Sequence, residues 1–173
     1  MMRGFVLGFL ATLSVVFGGF YLVLTNGLIP AGGDTRPSWL ESWVVAASLR
    51  ASLEREAPKE PNPVALTDAN LIAGIQLYGT HCAFCHGLAK GAAAASPVAK
   101  GLSPAPPQLA TAGVESDPEG VTFWKIKHGI RWTGMPFWAG TLNDQQIWTL
   151  ALFLKHMDKL PPAAQQVWQN VNK

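Results

Sequence analysis

The chain has 173 residues and a mass of 18.5 kDa, room for one ordinary domain and an appendage, which excludes an enzyme with separate cofactor and substrate lobes. Hydrophobic residues make up 49% and charged residues 14%, and seven Trp with eight Phe rule out a disordered chain. A net charge of +2 with no run of Lys or Arg sets nucleic-acid binding aside, and two cysteines exclude a disulfide-dense scaffold.

The apolar excess sits at the start. No charged residue lies between Arg3 and Asp34, and Phe5 to Ile29 reads FVLGFLATLSVVFGGFYLVLTNGLI. As a helix this stretch spans roughly 37 Å, enough for a hydrocarbon core of about 30 Å. It is longer than the apolar region of a secretory signal, and Ala31-Gly32-Gly33 makes a poor cleavage site, so residues 1–33 are expected to form a retained anchor, with an uncleaved or cleaved signal, or a buried helix of a soluble protein, as the alternatives. Arg3 and the terminal amine favour a cytoplasmic N-terminus.

A Gly/Pro break follows, and residues 34–66 are expected to hold a juxtamembrane helix and a linker. Ser38-Trp39-Leu40-Glu41 has the Ser-x-x-Glu pattern that opens a helix, which runs to Glu56 with Leu40, Trp43, Val44, Ala47 and Ala51 on one side. Trp39 and Trp43 suit the headgroup level of a bilayer; packing on the same chain or on a partner is the alternative. Pro58, Pro61 and Pro63 predict a stiff extended spacer over 57–66.

The globular domain is expected over residues 67–160, with a tail over 161–173. Thr67 or Asp68 caps a helix to about Tyr78, with Leu71, Ile75 and Tyr78 on its apolar side. Gly87 to Gly113 is rich in Gly, Ala and Pro and reads as a loop wrapped over a large rigid ligand. Asp117-Pro118-Glu119 predicts a helix start and Gly129 its end, with Val121, Trp124 and His128 on one face. Asn143 opens a last helix carrying Ile147, Trp148, Ala151, Leu152 and Lys155. The fold class is all-α, with no strand pattern.

Cys82-Ala83-Phe84-Cys85-His86 is the attachment signature of covalent haem and uses both cysteines. On one helical turn, thiols at i and i+3 face the same way and reach two vinyl groups of one porphyrin, while the adjacent imidazole is held under the iron. A redox dithiol calls for a βαβ context and a zinc site for a second Cys/His pair; neither pattern is in the sequence. Candidates for the other axial position are Met135, His128, Met157, His156 and His81. Met135 is favoured because Thr133-Gly134-Met135-Pro136 is an irregular segment in which Gly and Pro let a flexible thioether approach the iron. His128 reads as a surface or packing histidine, Met157 as core, His156 as a helix-end residue and His81 as exposed.

From about Thr67 to Leu160 the chain resembles a single-haem class I c-type cytochrome, on the Cys82–His86 motif, the Gly134-Met135-Pro136 segment and the helix order around them. His128 to Pro136 further resembles membrane-tethered bacterial cytochromes of this group. The resemblance implies a small helical domain in which the first and last helices cross, with Gly74 and Tyr78 meeting Trp148 and Leu152. It also implies one covalent haem c held by Cys82 and Cys85, with His86 and Met135 as axial ligands to the iron. A loop proline carbonyl then accepts a hydrogen bond from His86, Pro106 and Pro107 being the candidates, and Trp132 joins the haem-binding set.

With both axial positions filled, the expected role is one-electron transfer rather than enzymatic catalysis. The expected partners are redox proteins, whether a quinol-oxidising complex, a dehydrogenase or a terminal oxidase. The resemblance places the haem domain on the periplasmic side of a bacterial cytoplasmic membrane, with a single pass. A haem subunit permanently assembled in a larger membrane oxidoreductase, and a haem sensor or ligand-binding protein, are the alternatives. Lys125, Lys127 and Arg131 are candidates to ring the exposed haem edge, against ordinary solvated charges.

Overall fold

Residues 2–25 contain no charge after Arg3 and no proline, so nothing interrupts intrahelical hydrogen bonding in an apolar environment. In the computed structural model, which describes residues 2–89 and 96–171, they form α1, Met2–Thr25. Helix α1 is long and apolar enough to cross a membrane, and none of its residues is buried within the chain. The chain divides into two compact units, Met1–Arg36 and Pro37–Lys173.

The second unit opens with α2, Trp39–Glu56. The Ser38 side chain accepts the Glu41 backbone N–H at 3.2 Å, and Ala57 with Pro58 ends the helix. The spacer expected over 57–66 is extended but not free. Ala57 and Val64 are buried, and Asn62 Nδ2 donates to Glu119 Oε1 at 2.8 Å and to the Trp148 carbonyl at 3.0 Å. Gly120 leaves room for the Pro58 carbonyl, which any Cβ there would strike. The segment therefore packs as part of the folded unit, because its own polar side chain finds buried acceptors that periodicity along the chain does not reveal.

Helix α3, Asp68–His81, starts at Thr67, whose hydroxyl accepts the Asn70 N–H at 3.2 Å, and buries Leu71, Gly74, Ile75 and Tyr78. A single turn, α4 (Ala83–His86), follows at once. The Gly87 to Gly113 region holds two short helices, α5 (Pro97–Lys100) and α6 (Leu109–Ala112); its residues 90–95 lie outside the described ones. After a 3-10 turn over Val114–Ser116 comes α7, Glu119–His128. Asp117 does not cap α7 as its sequence suggested. Its carboxylate is 2.7 Å from Lys125 Nζ instead, and its carbonyl accepts from Lys155 Nζ at 3.1 Å. Thr122, Phe123 and Ile126 take the buried side of α7, leaving Val121 and Trp124 half-buried and His128 exposed.

Helix α8, Asp144–Lys155, begins with a complete capping box between Asn143 and Gln146, and every residue from Ile147 to Leu154 is buried. A helix buried all round must be covered on several sides, and α3, α7 and the 3-10 turn cover it. The α3–α8 crossing lies one residue along from the expected partners. Gly74 faces Thr149 and Phe153, where a Cβ would come within 2.6 Å of Phe153 Cβ and 2.8 Å of the Thr149 carbonyl. Trp148 instead stacks on Phe123, with ring centroids 4.2 Å apart.

Residues 161–173, expected as a tail, contain α9, Pro162–Asn170. Pro161 and Pro162 start it with preset φ angles, and Ala164 and Trp168 are buried. The Trp168 ring lies 5.4 Å from Tyr78 and 5.2 Å from Phe153, and Tyr78 and Phe153 meet edge-on at 5.6 Å. These three rings join α3, α8 and α9 in one core. Among the described residues the fold is all-helical.

Candidate functional site

The site grows out of the end of α3. The Cys82 N–H bonds to the Tyr78 carbonyl at 2.8 Å, and Cys85 and His86 N–H groups both bond to the Cys82 carbonyl, at 3.1 and 2.9 Å. Cys82 to His86 thus winds as one turn, which puts two half-buried free thiols on the same side. Burial, with the neighbouring Cys85 second, pushes the Cys82 thiol up to about 12. Gly87 ends the turn at φ 73°, and a Cβ there would collide with Gln108 Oε1. Only glycine takes this conformation without strain and without displacing Gln108.

Three contacts pin the turn from outside. The Tyr78 hydroxyl lies 2.7 Å from the Gly87 carbonyl and 3.2 Å from that of His86. Gln108 Nε2 donates to the Cys85 carbonyl at 3.2 Å and lies 3.5 Å from that of Pro106. His86 Nδ1 sits 2.8 Å from the Pro107 carbonyl. A carbonyl can only accept, so Nδ1 carries a proton in this contact and Nε2 is the ring nitrogen that the bond leaves uncommitted. Of the two prolines singled out from sequence, Pro107 is the one that faces His86.

A second wall comes from the loop after α7. Gly129, at φ 67°, lets the loop fold back so closely that a Cβ there would lie 2.8 Å from the Met135 carbonyl. The Ile130 N–H bonds to the Met135 carbonyl at 3.3 Å, and the Thr133 hydroxyl accepts the Met135 N–H at 3.1 Å. Gly134 lies against Leu102, and Trp138 N–H returns to the Ile126 carbonyl at 3.1 Å. Met135 is half-buried against the core, while Trp132 is 67% exposed with a left-handed φ of 60°.

The other candidate ligands are occupied elsewhere. His128 lies beside Trp124 with ring centroids 5.0 Å apart, and His156 Nδ1 is 2.9 Å from the Leu152 carbonyl. Met157 is buried in the core. His81, expected to be exposed, is half-buried with its ring edge-on to Trp138 at 5.4 Å. Lys125 pairs with Asp117 at 2.7 Å and Lys127 with Asp144 at 2.8 Å, so two of the three cations expected at a haem edge neutralise carboxylates of their own domain.

Sequence reading passed over Tyr78 as a hydrogen-bond donor and Gln108 altogether. The signal for Tyr78 is its place one helical turn before Cys82; for Gln108 it is adjacency to Pro107, in a stretch without periodicity.

This donor set fits a haem c. Two thiols one turn apart, an imidazole with one nitrogen already committed to a carbonyl, and a thioether in an irregular loop match its requirements. Among the described residues no group of three or more His, Cys, Asp or Glu side chains stands together as a tetrahedral metal site would need. Residues 69–154 match the family model described as cytochrome C oxidase, cbb3-type, subunit III. The match runs from α3 to the last turn of α8 and leaves α1, α2 and α9 outside. No curated protein and no solved structure matches the chain. The helical unit around the Cys82–His86 turn is accordingly a c-type cytochrome domain, similar over residues 69–154 to the cbb3-type subunit III family.

Proposed function

We propose that this chain is a single-electron carrier holding one haem c through thioether bonds to Cys82 and Cys85, with His86 and Met135 as axial ligands. When bound, the haem supplies the redox couple and exchanges one electron at a time. The observation that carries the reading is the 2.8 Å approach of His86 Nδ1 to the Pro107 carbonyl at the foot of a wound Cys-x-x-Cys-His turn. That bond fixes the tautomer and the ring direction, and it makes the imidazole a stronger electron donor. The loop bonds of Ile130 and Thr133 hold the Met135 backbone against Gly129, which limits how far the thioether can withdraw. Pro106 supports the turn through Gln108, and Trp132 stands in the loop that carries Met135, at a left-handed φ of 60°.

Helix α1 anchors the chain in a bacterial cytoplasmic membrane in one pass, with the haem domain in the periplasm and redox proteins as partners. A second reading, a haem subunit held permanently in a larger membrane oxidoreductase, is favoured by the match to an oxidase subunit family. Purification in mild detergent separates the two, since a stoichiometric partner overturns the free carrier. For the ligand set, the Met135→Ala variant is expected to lose the near-infrared sulfur-to-iron band; an unchanged spectrum would rule Met135 out. Carbon monoxide binding to the reduced native protein would point to a sensor instead.

A further inference from the structure

Among the described residues, none covers one face of α2. Trp39 is 80% exposed, Trp43 64%, Leu40 51% and Val44 44%. Positions i, i+1, i+4 and i+5 fall on one side of a helix. Val45, Leu49 and Leu53, on the other side, are half-buried, and the C-terminal end of α2 reaches α7 and continues into the packed 57–66 segment. The helix is therefore fixed to its domain at one end and apolar and bare at the other.

Chemistry and chain length together name the occupant. Glu41 is the single charged residue from Pro37 to Leu49, and it sits in the first turn, where the helix dipole accommodates an acid. Trp is the side chain best suited to the boundary between headgroups and acyl chains. Arg50, seven residues after Trp43 and so on the same side, stands where a phosphate would meet it, and Glu54 one turn further marks where the apolar face stops. Residues 26–38 are all that separate Thr25 of α1 from Trp39 of α2, a tether of at most about 45 Å when fully extended. Any membrane that α1 crosses is thus within constant reach of this face.

We propose that the Trp39–Val44 face of α2 lies in the headgroup layer of the membrane and so serves as the second attachment of the haem domain to the lipid surface. The proposal rests on the reading of α1 as a membrane span. The test uses the full-length, reduced haem protein, labelled with 5-fluorotryptophan and placed in nanodiscs of phosphatidylcholine and phosphatidylglycerol. The resonances are assigned with Trp39→Phe and Trp43→Phe. A nitroxide on the lipid headgroup is expected to broaden Trp39 and Trp43, while a water-soluble nitroxide broadens neither. Broadening of Trp39 and Trp43 by the aqueous agent alone shows a solvated helix and overturns the proposal; broadening by neither agent shows a protein partner on this face and overturns it too. Co-elution with the nanodiscs reports separately on α1, so a protein that fails to co-elute overturns the anchor reading and this proposal together, whereas co-elution without lipid broadening overturns the proposal alone.

Discussion

The hydroxyl of Tyr78 lies 2.7 Å from the carbonyl oxygen of Gly87, the residue that closes the Cys82–His86 turn, and the same hydroxyl lies 3.2 Å from the carbonyl of His86. Tyr78 itself is fully buried between Phe153 and Trp168. One core side chain therefore carries the packing of three helices to the backbone of the Cys82–His86 turn. Burial also pushes its phenol well above the ordinary tyrosine range, so it donates its hydrogen bond at any working pH.

Tyr78→Phe keeps the ring and strips two carbonyls of their donor. A loss of about 1–3 kcal/mol is expected, the cost of leaving a buried acceptor unpaired. Denaturant unfolding of the haem protein measures it, and a loss below about 0.5 kcal/mol would mean that water replaces the hydroxyl.

Gly74→Ala tests the α3–α8 crossing. Alanine favours the helix by about 1 kcal/mol, but its methyl would stand 2.8 Å from the Thr149 carbonyl, a backbone atom that cannot rotate away. Overpacking of this kind costs about 1–3 kcal/mol, so net destabilisation is expected as a lower unfolding midpoint. A stabilised variant would show that the two helices separate easily.

Trp168→Ala removes the ring that α9 places against Tyr78 and Phe153. A cavity of that size costs about 3–5 kcal/mol, a large part of the stability of a small domain. Thermal unfolding is expected to shift down sharply, and limited proteolysis is expected to cut near residues 161–171 in the variant before the parent. Equal resistance would return this segment to the status of a tail.

Asn62→Ala addresses the segment before α3. The side chain donates to Glu119 and to the Trp148 carbonyl and accepts the Val64 N–H at 2.9 Å. Losing all three is expected to cost about 1–3 kcal/mol. An unchanged midpoint would show that the segment is only a spacer.

Much of the arrangement was legible along the chain because it depends on near neighbours. The caps at Ser38 and Asn143 were readable from a polar side chain preceding an apolar pattern, the structure chose Thr67 over Asp68 for α3, and each hydroxyl or amide oxygen meets the N–H three residues on. Asp117 shows the limit: a competing cation, Lys125, takes its carboxylate, and the backbone of Pro118 then starts α7 without a side-chain cap. Helix α9 was missed although Ala164, Val167, Trp168 and Val171 recur at helical spacing after Pro162; what the chain order does not show is the pair of distant rings, Tyr78 and Phe153, on which it packs. His81 was misjudged for the same reason, its neighbour Trp138 lying 57 positions on in the sequence.

The amino-acid order by itself determined the membrane-length helix, the spacing of two thiols and an imidazole on one turn, and the all-helical class, since these follow from hydrogen bonds and periodicities of four residues or fewer. Only the tertiary structure decided that Pro107 rather than Pro106 faces His86, that Tyr78 and Gln108 hold the turn, that Gly74 meets Phe153, and that residues 57–66 and α9 belong to the fold. Those contacts join positions distant in the chain, and which buried acceptor receives which donor is set by close packing in three dimensions, which no local pattern encodes.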